Sequence, residues 1–235
     1  QVYELGRDFR NEGADATHNP EFTVLEAYRP YADYVQMREL TERLIKDAAR
    51  AVFGSVSLPL GRKASSERVV RDVSGPWRVV SVCDALSEAL GRRVDVQTDF
   101  EELLTLAQQH GVRVHEGMGP GAIVEELYGE LVEAHTVEPT FYTDFPAETS
   151  PLAAPHRSVP GLAERWDLVI NGMEMGCAYS ELADPLVQRE RLTEQSLKAA
   201  SGDLEAMEVD EDFLYALETG MPPTGGLGLG VDRLV

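Results

Sequence analysis

The chain has 235 residues, 43% of them hydrophobic, enough for one large domain or two small ones and giving no reason to expect disorder. Its 41 Asp and Glu against 21 Lys and Arg set a formal net charge of −20, which argues against a self-sufficient nucleic-acid binder and disfavours docking on anionic lipid. No apolar run reaches the roughly 18 residues of a membrane span, no signal peptide opens the chain, and Cys83 and Cys177 lie far apart without CxxC spacing, which fits a reducing, cytoplasmic setting rather than a zinc or disulfide framework.

In chain order, Val2 to Gly6 reads as a strand. Phe9-Arg10-Asn11-Glu12-Gly13 and Thr17-His18-Asn19-Pro20-Glu21-Phe22-Thr23 then gather an arginine, acids, a histidine and an amide between structure breakers. Phe22 to Tyr28 is rich in β-formers and reads as the return strand of a hairpin, with Phe22, Val24, Glu26 and Tyr28 on one face. On residue chemistry alone Arg10, Glu12 and Glu26 fit a surface ion-pair ladder as well as a site.

Tyr34 to Phe53 carries Met37, Leu40, Leu44, Ala48 and Val52 at helical spacing, with Gly54 as its C-cap. Short strands are expected over 55–80, with turns at Gly61 and Ser74-Gly75-Pro76. Helices follow at Asp84 to Leu90, from a Thr98-Asp99-Phe100-Glu101 capping box to Gly111, and at about 121–135 with Ile123, Leu127 and Leu131 on one stripe. His110, His115 and His135 are not spaced as ligands and read as surface or capping residues.

Thr140 to Phe145 is a strand leading into a loop that Pro146 and Pro151 stiffen. Arg165 to Ile170, the turn Asn171-Gly172 and Met173 to Glu181 make a second hairpin. Without a bulge, Met173, Met175, Cys177, Tyr179 and Glu181 share one face, and Glu174, Gly176, Ala178 and Ser180 the other. Its acids Asp167, Glu174 and Glu181 are either solvated on an edge hairpin or, if buried, need cations: Mg²⁺ and a ligand ammonium. Helices are expected from Asp184-Pro185 to about Ala200 and from Val209-Asp210 to Gly220. Gly225, Gly226, Gly228 and Gly230 then form a loop that lacks the G-x-G-x-x-G dinucleotide pattern but lets backbone approach a flat ligand, with Arg233 opening a helix as a phosphate ligand.

Phe9 to Gly13, Thr17 to Thr23 and Glu26-x-Tyr28 resemble motif 2 of the class II aminoacyl-tRNA synthetases in its lysine-specific form. Gly220 to Arg233 resembles motif 3, and Glu164 to Leu182 the strand pair between the two motifs; Phe145 to Ala153 and Asp184 to Gln195 match as well. In detail Asp15 to Tyr28, Ala178 to Leu182 and Pro222 to Arg233 look most like the synthetase half of the bifunctional lysylphosphatidylglycerol synthetase/lysine–tRNA ligases.

The resemblance implies an α+β fold, an antiparallel sheet flanked by helices. It also implies one partial catalytic domain over 1–235, with motif 2 at 1–34, a helical insertion at about 84–135, a metal and lysine hairpin at 164–182 and motif 3 at 220–235. The activity it implies is ATP-dependent activation of L-lysine to lysyl-adenylate and transfer to tRNA(Lys). Arg10 and Arg233 would be catalytic. ATP would meet Arg10, Glu12, His18, Asn19, Phe22, Gly230 and Arg233, with Asp167 and Glu174 holding Mg²⁺. Lysine would meet Arg10, Glu26, Tyr28, Cys177, Tyr179, Glu181 and Gly228.

Two departures stand out. Asp167 replaces a common Glu, and Cys177 replaces the usual Asn, a better donor to the lysine carboxylate than a thiol. The ends, Gln-Val-Tyr and Asp-Arg-Leu-Val, read as cuts, and motif 1 and an anticodon-binding barrel are missing. The expectation is therefore a fragment whose homodimer contacts and main tRNA grip lie outside it. Membrane attachment would follow only if a transferase domain precedes it. The rivals are a lysine ligase acting on a protein acceptor and a non-catalytic synthetase-like module. An aspartate- or asparagine-specific relative is disfavoured, because Glu26 and Glu181 offer its side chain neither a cation nor an amide.

Overall fold

The computed structural model describes residues 1–10, 18–61, 67–115, 117–200 and 206–235. Strands β1 (Val2–Phe9) and β2 (Glu21–Pro30) form the first hairpin, with Glu4 opposite Glu26. Helix α1 (Tyr34–Phe53) starts at a complete capping box: the Asp33 carboxylate accepts from the Val35 and Gln36 N–H groups, and the Gln36 side chain accepts from the Asp33 N–H. Gly54 ends it at φ 70°. Its buried stripe is Met37, Thr41, Ile45 and Ala49, whereas Ala48 and Val52 of the expected stripe face solvent. Thr41 can sit in that stripe because its hydroxyl donates to the Met37 carbonyl at 2.8 Å, so its burial leaves no polar group unpaired.

β3 (Ser57–Leu60) and β4 (Val69–Asp72) make a separate two-stranded sheet. β5 (Arg78–Ser81) precedes α2 (Val82–Leu90), α3 (Phe100–His110) and α4 (Pro120–Leu131). Asp99, not Thr98, caps α3, because the Thr98 hydroxyl is already accepting from the Asp95 N–H at 2.9 Å. β6 (Thr140–Thr143), β7 (Arg165–Ile170), β8 (Met173–Ser180), α5 (Pro185–Ala200), α6 (Glu211–Thr219), β9 (Thr224–Gly230) and α7 (Val231–Leu234) complete the order. The glycine-rich stretch is therefore a strand rather than a loop.

The main sheet runs β1-β2-β9-β8-β7-β6-β5 and is antiparallel apart from the β5–β6 pair. One face packs on α1 through Met37, Ile45, Phe141, Trp166, Leu168, Leu227 and Leu229. The Trp166 indole N–H donates to the Tyr34 carbonyl at 2.7 Å, which pins sheet to helix. The other face is covered at its β5–β7 end by α2, α3 and α4, whose Leu86, Leu103, Ile123 and Leu127 pack with Tyr142, Phe145 and Val169. Toward β2, β9 and β8 that same face opens into a cavity. The 164–182 hairpin thus lies mid-sheet, and its acids are not those of an edge hairpin.

Candidate active site

Asn171 and Gly172, at φ 58° and 71°, turn the β7–β8 hairpin as expected. Pairing runs regularly from Arg165↔Tyr179 to Leu168↔Gly176 and then slips, so that Val169 faces Glu174 and Met175 is the extra residue. Strict alternation had put Glu174 on the face opposite Cys177 and Glu181. The bulge turns Met175 into the core and brings Glu174 round to the cavity. Side-chain donor atoms of Asp167, Glu174 and Cys177 all lie within 4.8 Å of one another.

The cavity holds about 760 Å³. Glu26, Gly228, Cys177 and Asp167 are successive partners across β2, β9, β8 and β7, so they form one row over its floor. At one end of β2 lie Tyr28, Tyr179 and Glu181, and toward the other Phe22, His18, Asn19 and Arg10. Six residues of strand separate Tyr28 from Phe22, about 20 Å. Glu174, Gly230 and Arg233 line the part between. Every candidate site residue expected from sequence lines this cavity or touches its acid cluster, except Glu12, which falls outside the described residues.

Several of these side chains are already held. Arg10 pairs with Asp8 at 3.1 Å and lies over the Phe22 ring at 5.2 Å. The Asn19 amide donates to the Glu21 carbonyl at 2.8 Å. Arg233 donates to the carbonyl of Glu174 at 2.8 Å, tying α7 to the bulge. Asp232, which the sequence reading passed over, accepts from the Thr23 N–H at 2.7 Å and fixes α7 to β2.

The three hairpin acids divide sharply. Asp167 receives two hydrogen bonds from Arg165, at 3.0 and 2.7 Å, and Arg165 also reaches Glu125 of α4 at 3.0 Å and stacks over Phe145 at 4.0 Å. Burial opposes the Arg165 charge, yet Asp167 and Glu125 outweigh it and hold its pKa well above the usual value. Among the described residues, no hydrogen bond or ion pair reaches the carboxylate of Glu174 or of Glu181. Burial first, then the charge of Asp167, pushes Glu174 up to about 7, and burial, then Glu26, does the same to Glu181. Tyr28, which donates to Glu26 at 3.4 Å, is pushed up to about 12 by burial and by these two acids. The Cys177 thiol is raised to about 12 by burial, Glu174 and Asp167.

Sequence reasoning missed Arg165 and Glu125. Arg165-x-Asp167 on one strand face was a readable signal; Glu125, forty residues upstream, carried none.

Two adjacent carboxylates suit Mg²⁺, a hard cation that takes oxygen ligands. The Tyr128 hydroxyl of α4 is the one buried side-chain polar atom without a partner among the described residues, and Asp167 and Glu174 are among the charges acting on it. The residues therefore fit the ion.

The sequence profile of the class II tRNA synthetases (D, K and N) matches residues 1–235. This chain belongs to that family. Its sheet, antiparallel but for one pair and flanked by helices, is the class II synthetase domain that the motifs implied.

The synthetase domain is also similar to the lysylphosphatidylglycerol biosynthesis bifunctional protein LysX of Nocardia farcinica, 56% identical over 236 residues, covering all of this chain and 21% of that protein. The Mycolicibacterium gilvum protein of the same name is 56% identical over 235 residues, and that of Mycobacterium tuberculosis H37Rv 54% over 241. The chain thus spans about a fifth of the length of these relatives. Among the described residues, no helix is long and apolar enough to cross a membrane.

Proposed function

We propose that this domain condenses L-lysine with ATP to lysyl-adenylate and passes the lysyl group to tRNA(Lys), and that in the full-length protein this supply feeds lysylphosphatidylglycerol synthesis. The observation that carries the reading is the half-buried, unpaired Glu181 facing Glu26 and Tyr28 at one end of a cavity whose other end holds two arginines. A lysine ammonium is the partner these acids lack. Aspartate and asparagine, the other substrates of the family's letters, would bring a repelled carboxylate or an uncharged amide that leaves the acids uncompensated. The LysX names of the relatives support both lysine and the lipid destination.

The division of labour follows from the chemistry. The attacking group is the amino acid's own carboxylate, ionised at neutral pH, so no general base is required. What remains is alignment and charge neutralisation. Glu181, Glu26 and Tyr28 anchor the side-chain ammonium and so set how far the carboxylate reaches along the floor. Gly228, with open space above it, lets the substrate lie against the backbone. Arg10 leaves Asp8 to bind the α-phosphate and lysine carboxylate, uncovering the Phe22 face for adenine, while Arg233 meets the phosphates or the other face of adenine. Asp167 and Glu174 would hold Mg²⁺, which supplies electrostatic stabilisation of the phosphates when bound.

The test is amino-acid-dependent ATP–pyrophosphate exchange by the full-length protein, followed by charging of tRNA(Lys). Exchange is expected with lysine, not with aspartate or asparagine, and should fall at least about 30-fold in Glu181→Gln, the scale of truncating one partner of a desolvated charge pair, about 2–5 kcal/mol. Folded protein without exchange for any amino acid would defeat the enzyme reading. Lysine exchange without tRNA charging would move the acceptor to a protein.

A further inference from the structure

We propose that Cys177 joins Asp167 and Glu174 as ligand to a thiophilic divalent cation of the zinc class, which this site takes up in competition with Mg²⁺. The inference rests on the reading of the cavity as a metal-assisted nucleotide site and adds a ligand that Mg²⁺ itself has no use for.

Backbone geometry builds the set. Cys177 is the direct partner of Asp167 across β7 and β8, so both side chains leave the sheet on the same side. The bulge at Met175 then brings in Glu174, which strict alternation would have sent to the opposite face. The result is three donors of two kinds within 4.8 Å. Arg165 compensates Asp167, while among the described residues the Glu174 carboxylate has no hydrogen-bond or ion-pair partner. A second feature is Tyr128 of α4, only 3% exposed, whose hydroxyl has no hydrogen-bond partner among the described residues and feels the charges of Asp167 and Glu174. Three protein ligands plus a water is the coordination of an open zinc site.

Mg²⁺ takes oxygen and keeps its waters, whereas Zn²⁺ and Cd²⁺ bind thiolate sulfur strongly, zinc at about 2.3 Å. On binding, the S–H bond breaks heterolytically, the sulfur pair goes to the metal and the proton leaves to solvent. No redox change occurs. Mg²⁺ would use the two carboxylates alone, so the two ions exclude each other.

The test uses reduced, metal-stripped full-length protein as wild type, Cys177→Ser, Glu174→Gln and Cys83→Ser, the last as internal control because Cys83 sits on α2 outside the three-donor cluster. Cd²⁺ titration is followed by thiolate-to-cadmium charge-transfer absorption and Zn²⁺ titration by calorimetry. The expected result is a band lost in Cys177→Ser and kept in Cys83→Ser, with Zn²⁺ affinity down at least ~10–100-fold in Cys177→Ser and Glu174→Gln, no less than loss of an outer-shell partner costs. Excess Mg²⁺ should compete with Zn²⁺ in wild type. An undiminished band and unchanged Zn²⁺ affinity in Cys177→Ser would overturn the proposal; if the serine variant does not fold, Cys177→Ala replaces it. Lysine exchange without a Cys177-dependent band sinks this inference and leaves the synthetase reading standing. A Cys177-dependent band without exchange does the reverse.

Discussion

One face of the seven-stranded sheet is treated in two ways. Over β5–β7, α2 to α4 close on it, and each acid there has an ion-pair partner: Arg165 sits between Asp167 and Glu125, over the Phe145 ring. Over β2, β9 and β8 the same face lines a cavity in which Glu174 and Glu181 are half-buried with no hydrogen-bond or ion-pair partner among the described residues. A chain that matches its buried charge on one half and not on the other has left room for charge that arrives from outside.

The comparison breaks most visibly at Arg165. Arg165→Met would leave two acids facing each other across a packed layer, and we expect a loss of about 3–5 kcal/mol in denaturant unfolding. A loss below about 1 kcal/mol would mean that water already screens the matched half. Next is Gly226→Ala, whose methyl would run into the Glu181 carboxylate and come within 2.9 Å of the Tyr28 ring. The KM for lysine should rise roughly 100-fold, about 2.7 kcal/mol, while ATP binding changes little. Gly228→Ala is the comparator, since its methyl meets nothing within 4 Å and should leave folding intact.

Third is the pH dependence of Glu181→Gln. The folded pKa of Glu181, about 7, lies above the ordinary value of 4.5, so wild-type stability is full below about 4.5 and falls as pH rises to 7, because the unfolded chain sheds the proton first. Glu181→Gln should therefore match wild type near pH 4.5 and be more stable by up to about 3 kcal/mol above pH 7. Saturating lysine should reverse the order. Equal stability at both pH values would show that the acid is not held unpaired. The smallest effect is expected at Arg189, whose two bonds to Glu211, at 2.7 and 2.8 Å, lie on the surface. Arg189→Gln should leave the denaturant midpoint indistinguishable from wild type.

Local sequence alone determined the elements whose signals are local. Gly54 ends α1, Asn171-Gly172 turns the second hairpin, and alternation in β2 puts Phe22, Val24, Glu26 and Tyr28 on the cavity side. Those signals are capping bonds, turn torsions and side-chain period, all set within a few residues. What required the tertiary structure was whatever depended on a distant partner. The bulge at Met175 arises from pairing with β7 and reversed the side on which Glu174 projects. The glycine run is a strand because β2 and β8 flank it and supply its backbone partners. Asp167 is matched and Glu181 is not because Arg165 and Glu125 meet on one half of the face, whereas no ion pair to Glu181 forms on the other among the described residues. Spacing in a sequence tells which side chains share an element; only the packing of elements decides which charges are left for a ligand to meet.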